Sequence, residues 1–130
     1  MGVLVVEDDP LAAKLLNIVF AKRKDLRVTF AKSAEEAGTI LAKRAIPVPN
    51  LVICDHNLPG MSGVEFIKSL RTMPGLARAA SVMLSADPDA QTRRSALAAG
   101  AQAFIEKSDF CANFERWMGD LLSIASAKAA

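Results

Sequence analysis

The sequence predicts an α/β fold, a doubly wound parallel sheet with helices on both faces. Five short runs rich in β-branched residues alternate with longer segments of helical periodicity. Four of these runs are continuously apolar, as in parallel strands that are covered on both faces. Capping residues mark the starts of several helical segments. The 130 residues suit one domain. Five strands alternate with five helices, and right-handed crossovers connect the strands.

The predicted strands are Val3–Val6, Leu26–Phe30, Leu51–Cys54, Ser81–Leu84 and Ala103–Ile105. The second run alternates apolar and polar residues, which indicates a more exposed edge strand. Cys54 lies in the third run and is expected to be a small buried residue.

An apolar face characterises most of the helical segments. The expected core-facing sets are Leu11, Leu15, Ile18 and Val19 in the first helix, Ala37, Ile40 and Leu41 in the second, Val64, Ile67 and Leu70 in the third, and Phe110, Phe114, Trp117, Met118 and Leu121 in the last. The fourth helix, Pro88–Ala99, is only weakly apolar.

Residues that favour helix ends agree with these segments. Asp9-Pro10 and Asp87-Pro88 each offer an N-cap followed by proline at the first helical position. Ser33-x-x-Glu36 and Ser62-x-x-Glu65 are capping boxes. Gly100 is placed to end the fourth helix. We expect one domain over residues 1–125 and a frayed tail over residues 126–130.

The composition excludes several classes of function. No apolar run approaches the roughly 18 residues of a membrane helix, and the N-terminus lacks the basic segment of a signal peptide. The net charge of +2 and the scattered Lys and Arg residues do not indicate nucleic-acid binding. Cys54 and Cys111 lack metal-type spacing and are expected to be unpaired thiols. These features predict a cytoplasmic protein.

Polar residues follow four of the predicted strands. They are Glu7-Asp8-Asp9 after strand one, Asp55 after strand three, Ser85 after strand four and Lys107 after strand five. In an open parallel sheet these strand ends share one edge, where ligands bind beside the point at which strand order reverses. If strands one and three are neighbours, the carboxylates of Glu7, Asp8 and Asp55 converge.

Three converging carboxylates repel each other unless a cation joins them, and Mg²⁺ prefers such oxygen ligands. Lys107 adds a positive charge and Ser85 a hydroxyl, so the set suits a phosphoryl group. The set has no histidine or cysteine nucleophile, which leaves the carboxylate of Asp55 as the candidate covalent acceptor. His56, the only histidine, is expected to be a loop residue beside the site.

From Val3 to about Ser123 the chain resembles a response-regulator receiver domain of two-component signalling. The resemblance rests on five separated motifs, VVEDDP, LVICDHNLPGMSG, VMLSAD, ALAAGA and AFIEK. It implies a flavodoxin-like sheet of strand order 2-1-3-4-5. It also implies a signalling domain that catalyses its own Mg²⁺-dependent phosphorylation and dephosphorylation, and not an enzyme for a separate substrate.

The resemblance implies a role for each residue around the metal and the phosphoryl group. Asp55 is the phosphoacceptor, and Lys107 pairs with the phosphoryl group. Asp8 binds Mg²⁺ directly, with Mn²⁺ as a substitute, and Glu7 binds it mainly through water. Asn57 contributes its backbone carbonyl as a further ligand.

The resemblance also implies a switch and its partners. The ring of Phe104 moves inward when Ser85 turns toward the phosphoryl group, which changes the face of the fourth helix, fifth strand and fifth helix. The phosphodonor is a histidine kinase or phosphotransfer protein. An output domain, a docking partner or a homodimer through that face receives the signal, with no direct contact to nucleic acid or membrane.

One position departs from the family pattern. The family commonly has a proline after this lysine, often in a cis peptide, whereas this chain has Ser108. A cis bond without proline costs several kcal/mol, so we expect a trans peptide here. Ser108 is expected to cap the last helix, and the Lys107 loop to be more mobile.

Three alternatives stay open. A flavodoxin-like FMN protein shares the fold, but Glu-Asp-Asp-Pro after strand one would repel phosphate without a metal. A Mg²⁺-dependent phosphatase usually has its aspartyl nucleophile after strand one, whereas Asp55 follows strand three. A receiver that no longer accepts phosphate is the third, and the complete set of acidic residues, serine and lysine argues against it.

Overall fold

Five parallel strands form one sheet in the order β2-β1-β3-β4-β5, as predicted. The structure is a computed structural model and describes residues 1–87 and 89–129. The strands are β1 Gly2–Val6, β2 Arg27–Ala31, β3 Leu51–Asp55, β4 Ala80–Ser85 and β5 Ala103–Glu106. Each bound lies within one residue of the predicted run. Strands β3 and β4 are buried along their whole length, and β2 is the predicted edge strand.

Helices cover both faces of the sheet, which confirms the doubly wound prediction. The helices are α1 Pro10–Ala21, α2 Ala34–Ala42, α3 Gly63–Leu70, α4 Ala90–Ala99, α5 Lys107–Ala112 and α6 Phe114–Ala129. One core cluster joins the sheet to α2, α3 and α4, and the other joins it to α1, α5 and α6. None of the described helices is long and apolar enough to cross a membrane.

The predicted fifth helix is two helices in the structure, so the expected count of five is wrong. Asn113 separates α5 from α6 with φ −122° and ψ 39°. Asparagine favours such breaks because its short polar side chain competes with helical backbone bonding. Its amide donates to Asp109 Oδ1 at 2.6 Å, and Trp117 Nε1 donates to Asp109 Oδ2 at 3.2 Å. The Asp109 carboxylate therefore ties the two helices together.

Most helix ends follow the predicted signals. Asp9, Ser33 and Ser62 each accept a backbone N–H as N-caps, and Gly100 ends α4 at φ 118°. Helix α6 continues through the predicted tail as far as Ala129, and residue 130 lies outside the described residues. The domain boundary at residue 125 stays a prediction.

The start of α4 differs from the prediction. Its N-cap is Asp89 and not Asp87, and Pro88 lies outside the described residues. Asp89 accepts from Thr92 N at 2.8 Å and from Thr92 Oγ1 at 2.9 Å. Asp87 instead belongs to the loop, where its N–H donates to Ser85 Oγ at 3.2 Å. The cap is decided by which carboxylate reaches the free N–H groups of the first turn.

The predicted core face of α1 is wrong. Leu11, Leu15 and Ile18 are 66%, 49% and 51% exposed, whereas Leu16 and Phe20 are buried. Helix α1 is apolar on most of its circumference, so periodicity does not identify the inner face. Phe20 packs edge-on against Phe114 of α6, with ring centroids 4.9 Å apart. Burying this large ring orients the helix and leaves an apolar stripe, Leu11, Leu15 and Ile18, on the surface.

The core faces of the other helices follow the predictions more closely. Buried members of the predicted sets are Ala37, Ile67, Leu70, Phe110, Phe114, Met118 and Leu121. Ile40, Leu41, Val64 and Trp117 are partly buried against the same clusters. Val19 is the member of the predicted α1 set that is also partly buried.

Candidate functional site

The pairing of β1 with β3 places the acidic residues side by side. Val6 lies opposite Cys54 in the register, so the next residues, Glu7 and Asp55, are neighbours across the sheet. One carboxylate oxygen each from Glu7, Asp8 and Asp55 lies within 4.8 Å of the others. Glu7 and Asp55 are buried, whereas Asp8 is exposed to solvent. The structure therefore brings together the three carboxylates that the sequence singles out.

Lys107 joins two of these carboxylates. Its Nζ lies 2.7 Å from Glu7 Oε1 and 3.1 Å from Asp55 Oδ1. Lys107 is the first residue of α5, so its backbone lies in a helical turn, and the greater mobility expected of this region stays a prediction. The ammonium group offsets part of the negative charge that burial concentrates here.

Ser108 does not cap the last helix, contrary to the prediction. It lies inside α5, and its hydroxyl donates to Glu106 Oε1 at 2.7 Å. Glu106 occupies the N-cap position, but its side chain accepts no capping bond from a backbone N–H of the helix. The described residues contain no cis peptide bond, as expected for a chain with serine at this position.

Burial and charge shift the pKa values of this cluster. Burial, followed by the neighbouring Asp55, raises the pKa of Glu7 to about 7, although Lys107 opposes the shift. Burial alone would lower the pKa of Lys107, but its bond to Glu7 and the charge of Asp55 raise it overall. Burial also raises the pKa of the Cys54 thiol, which is consistent with an inert buried side chain. The site thus holds a stable ammonium group and a carboxyl group that readily gains a proton.

The donor set fits a hard divalent cation. Glu7 Oε1 is buried and, apart from the ion pair with Lys107, has no hydrogen bond of good geometry among the described residues. Carboxylate oxygens of this kind are the ligands that Mg²⁺ and Mn²⁺ prefer. Asn57 lies in the loop that follows β3, two residues after Asp55, with an exposed side chain. A cation here would relieve the repulsion between the three carboxylates.

The two residues expected to form the switch lie on the β4 and β5 side of the site. Ser85 is the last residue of β4 and is buried, and its Oγ accepts from Asp87 N at 3.2 Å. Phe104 is 6% exposed and belongs to the core cluster that contains Ala96 and Ala99 of α4. The ring is therefore already buried in this structure.

The loop after Asp55 is anchored at both ends. His56 is half-buried, and its N–H donates to Leu84 O at 2.9 Å. Gly63 N–H donates to His56 O at 3.3 Å and begins α3. A Cβ on Gly63 would overlap the carbonyl oxygen of Asp55, so a larger residue does not fit without displacing this backbone.

Sequence reasoning missed two residues that shape this loop, Gly63 at its end and Glu35 in α2. The close approach of Gly63 has a sequence signal, because the motif LPGMSG places a glycine at the start of a helix. Glu35 has no comparable signal, and its Oε2 accepts from Met61 N at 2.9 Å across 26 residues of sequence.

The raised pKa of Glu7 predicts an unusual pH dependence of stability for the protein in EDTA. The native state holds this proton more tightly than the unfolded chain does. Glu7 therefore contributes stability below pH 4.5 that is lost as the pH rises through about 7. We expect the Glu7→Gln variant to lack this fall in the free energy of unfolding. Urea denaturation of both proteins from pH 4.5 to 8 measures it, and parallel curves would contradict the assignment.

The sequence is similar to known proteins of one family. The family description "Response regulator receiver domain" matches residues 3–111. The chain is 34% identical over 105 residues to the transcriptional regulatory protein KdpE of Mycobacterium tuberculosis (strain CDC 1551 / Oshkosh), covering 81% of this chain and 43% of KdpE.

Solved structures show the same fold. The signal receiver domain of a signal transduction histidine kinase from Syntrophus aciditrophicus superposes with a TM-score of 0.79 at 25% identity, covering 94% of this chain and 89% of that chain. The Mn²⁺-bound form of response regulator Rcp1 gives a TM-score of 0.75 at 22% identity, covering 97% of this chain and 89% of that chain. Glu7, Asp8 and Asp55 all lie within residues 3–111, which match the family description. The chain belongs to the family of response regulator receiver domains of two-component signalling.

Proposed function

We propose that the protein is a phosphorylation-dependent switch in which Asp55 accepts a phosphoryl group. The observation that supports this most directly is the position of Lys107 Nζ, which contacts the carboxylates of both Asp55 and Glu7. An oxygen of Asp55 attacks phosphorus in line, and a new O–P bond forms. The P–N bond to the imidazole of the donor breaks, and its electron pair stays on that nitrogen. The product is an acyl phosphate on Asp55, which water later hydrolyses.

The cation in this proposal is Mg²⁺ or Mn²⁺. The side chains of Asp8 and Asp55 and the backbone carbonyl of Asn57 would bind it directly, and Glu7 would bind it through water. The bound ion neutralises the carboxylates and the phosphoryl oxygens, so that the anionic acceptor and the anionic donor can approach. Lys107 pairs with a phosphoryl oxygen, after giving up part of its present contact with Asp55. The Mn²⁺-bound form of Rcp1, which has the same fold, supports this choice of ion.

The switch depends on contacts that exist only after phosphorylation. The Ser85 hydroxyl now accepts from Asp87 N–H, and its own proton can be donated to the phosphoryl group. Together with Lys107 at the start of α5, this contact biases the face formed by α4, β5 and the final helices. Because Phe104 belongs to the same core cluster as Ala96 and Ala99 of α4, the change reaches this face through the core.

The partners are a phosphodonor and a receiver of the signal. Leu11 and Leu15 of the apolar stripe line a groove of about 240 Å³. Asp9 and Lys107 also line it beside the site, which favours a protein donor. We propose a histidine kinase or phosphotransfer protein for this role, in the cytoplasm. KdpE is more than twice as long as the matched region, which supports an attached output domain, with a docking partner or a homodimer as alternatives. Direct contact with nucleic acid or membrane is not part of the proposal.

Incubation with acetyl phosphate and Mg²⁺ tests the proposed function. We expect the intact mass to increase by one phosphoryl group, because Asp55 attacks phosphorus and acetate leaves. EDTA should prevent this increase by removing the cation. An unchanged mass with Mg²⁺ or Mn²⁺ would contradict the proposal and favour a receiver that no longer accepts phosphate.

A further inference from the structure

We infer that Glu35 is a positioning residue that holds the loop between β3 and α3, residues 56–62, and through it the backbone carbonyl of Asn57. This inference rests on the proposed function, because Asn57 is a proposed ligand of the cation. The contact that supports it is the bond from Met61 N–H to Glu35 Oε2, 2.9 Å long. Glu35 lies in the first turn of α2, on a different element from the loop.

The loop has a feature that fits this carboxylate. Gly60, next to Met61, has a φ of 72°, and a Cβ at this position would lie 2.7 Å from Glu35 Oε2. The carboxylate therefore occupies space that a side chain at residue 60 would fill. The left-handed conformation also turns the chain so that the Met61 N–H faces α2.

The other contacts leave the middle of the loop for Glu35 to hold. The bond of His56 N–H to Leu84 O fixes the beginning of the loop, and Gly63 N–H to His56 O fixes the end. Leu58 and Met61 pack only partly against the core. Among the described residues, Glu35 makes the hydrogen bond that links this middle part to another element. Without it, residues 57–61 would sample more conformations, and fewer of them would present the Asn57 carbonyl to a cation.

The bond is charge-assisted. Backbone donation, chiefly by Met61 N–H, lowers the pKa of Glu35, so the carboxylate is ionised at neutral pH. Glu35 is exposed, and water competes for the same oxygen. We therefore expect an effect below the ~10–100-fold that outer partners of metal ligands often show.

The test compares Glu35→Ala with Glu35→Gln, whose amide oxygen can still accept from Met61 N–H. Glu35→Ala should raise the Mg²⁺ concentration for half-maximal uptake from acetyl phosphate about 3- to 10-fold. The maximal rate at saturating Mg²⁺ should stay near that of wild type, since the acceptor and Lys107 are untouched. Glu35→Gln should recover most of the loss. Calorimetry with Mg²⁺ alone provides the dissociation constant independently of phosphorylation.

Glu36→Ala is the matched control. Glu36 is also an exposed carboxylate in the first turn of α2, but its recorded contact is with Lys32 N at 3.4 Å and not with the loop. The Glu36→Ala variant should need the same Mg²⁺ concentration as wild type for half-maximal phosphoryl uptake. Equal Mg²⁺ dissociation constants for Glu35→Ala and wild type would overturn the inference. A similar loss of Mg²⁺ affinity in Glu36→Ala would do the same. Failure of wild type to bind Mg²⁺ would instead refute the proposed function.

Discussion

Asp55→Asn should abolish phosphoryl uptake while leaving the protein folded. An amide has the size of the carboxylate but lacks the anionic oxygen that attacks phosphorus. The fold should persist because Lys107 keeps its 2.7 Å contact with Glu7. Loss of the Asp55 charge also removes one cause of the raised pKa of Glu7, so repulsion within the cluster decreases. We expect an unfolding midpoint close to that of wild type and no added mass after incubation with acetyl phosphate and Mg²⁺.

Asp9→Asn is the matched control for this experiment. Asp9 is an exposed carboxylate beside the cluster, and its role is to accept from Ala12 N at 3.1 Å as the cap of α1. Asparagine caps helices about as well as aspartate. Asp9→Asn should therefore take up phosphate like wild type. Uptake by Asp55→Asn, located by peptide mapping at another residue, would refute Asp55 as the acceptor.

Gly63→Ala should produce the largest loss of stability among the substitutions considered. A methyl group at residue 63 would overlap Asp55 O and lie 3.2 Å from the His56 Cα. These are backbone atoms at the end of a buried strand, so no side-chain rotation relieves the contact. We expect a loss of about 2–4 kcal/mol in the free energy of unfolding, with slower phosphoryl uptake because the backbone of Asp55 must move.

Gly38→Ala distinguishes this steric effect from the general effect of replacing a glycine. Gly38 lies inside α2, and nothing lies within 4 Å of the Cβ that alanine would add. Alanine favours a helix interior over glycine, so this variant should gain about 0.5–1 kcal/mol. Urea denaturation of the two variants and wild type measures both values. A Gly63→Ala protein as stable as wild type would show that the backbone at Asp55 is not so tightly packed.

The strands were predictable because each buried strand appears in the sequence as a short run of neighbouring apolar residues. Leu51–Asp55 is apolar until its last residue, and the family resemblance supplies the neighbour order. From these two facts the convergence of Glu7, Asp8 and Asp55 follows, since parallel strand ends share an edge. The caps at Asp9, Ser33 and Ser62 were predictable for the same reason, as each depends on contacts three residues apart.

The errors arose where two local signals competed. Both Asp87 and Asp89 can cap a helix, and the hydrogen bond from Asp87 N–H to Ser85 leaves Asp89 as the cap. A continuous stripe from Phe110 to Leu121 predicts one helix, but the break at Asn113 leaves the side chains of this stripe buried or partly buried on both parts. Hydrophobic periodicity reports burial and does not report such a change of backbone path.

Local sequence was sufficient for the five strands and for the polar residues that follow them, because apolar runs and motifs are properties of neighbouring residues. The inner face of α1, the ion pairs of Lys107 and the contact between Glu35 and Met61 required the assembled fold. Each of these joins residues far apart in the chain, and its geometry depends on how whole elements pack together. Packing of the Phe20 ring against α6 turns Leu15 outward, and the approach of α2 to the loop places a carboxylate where Gly60 has no side chain.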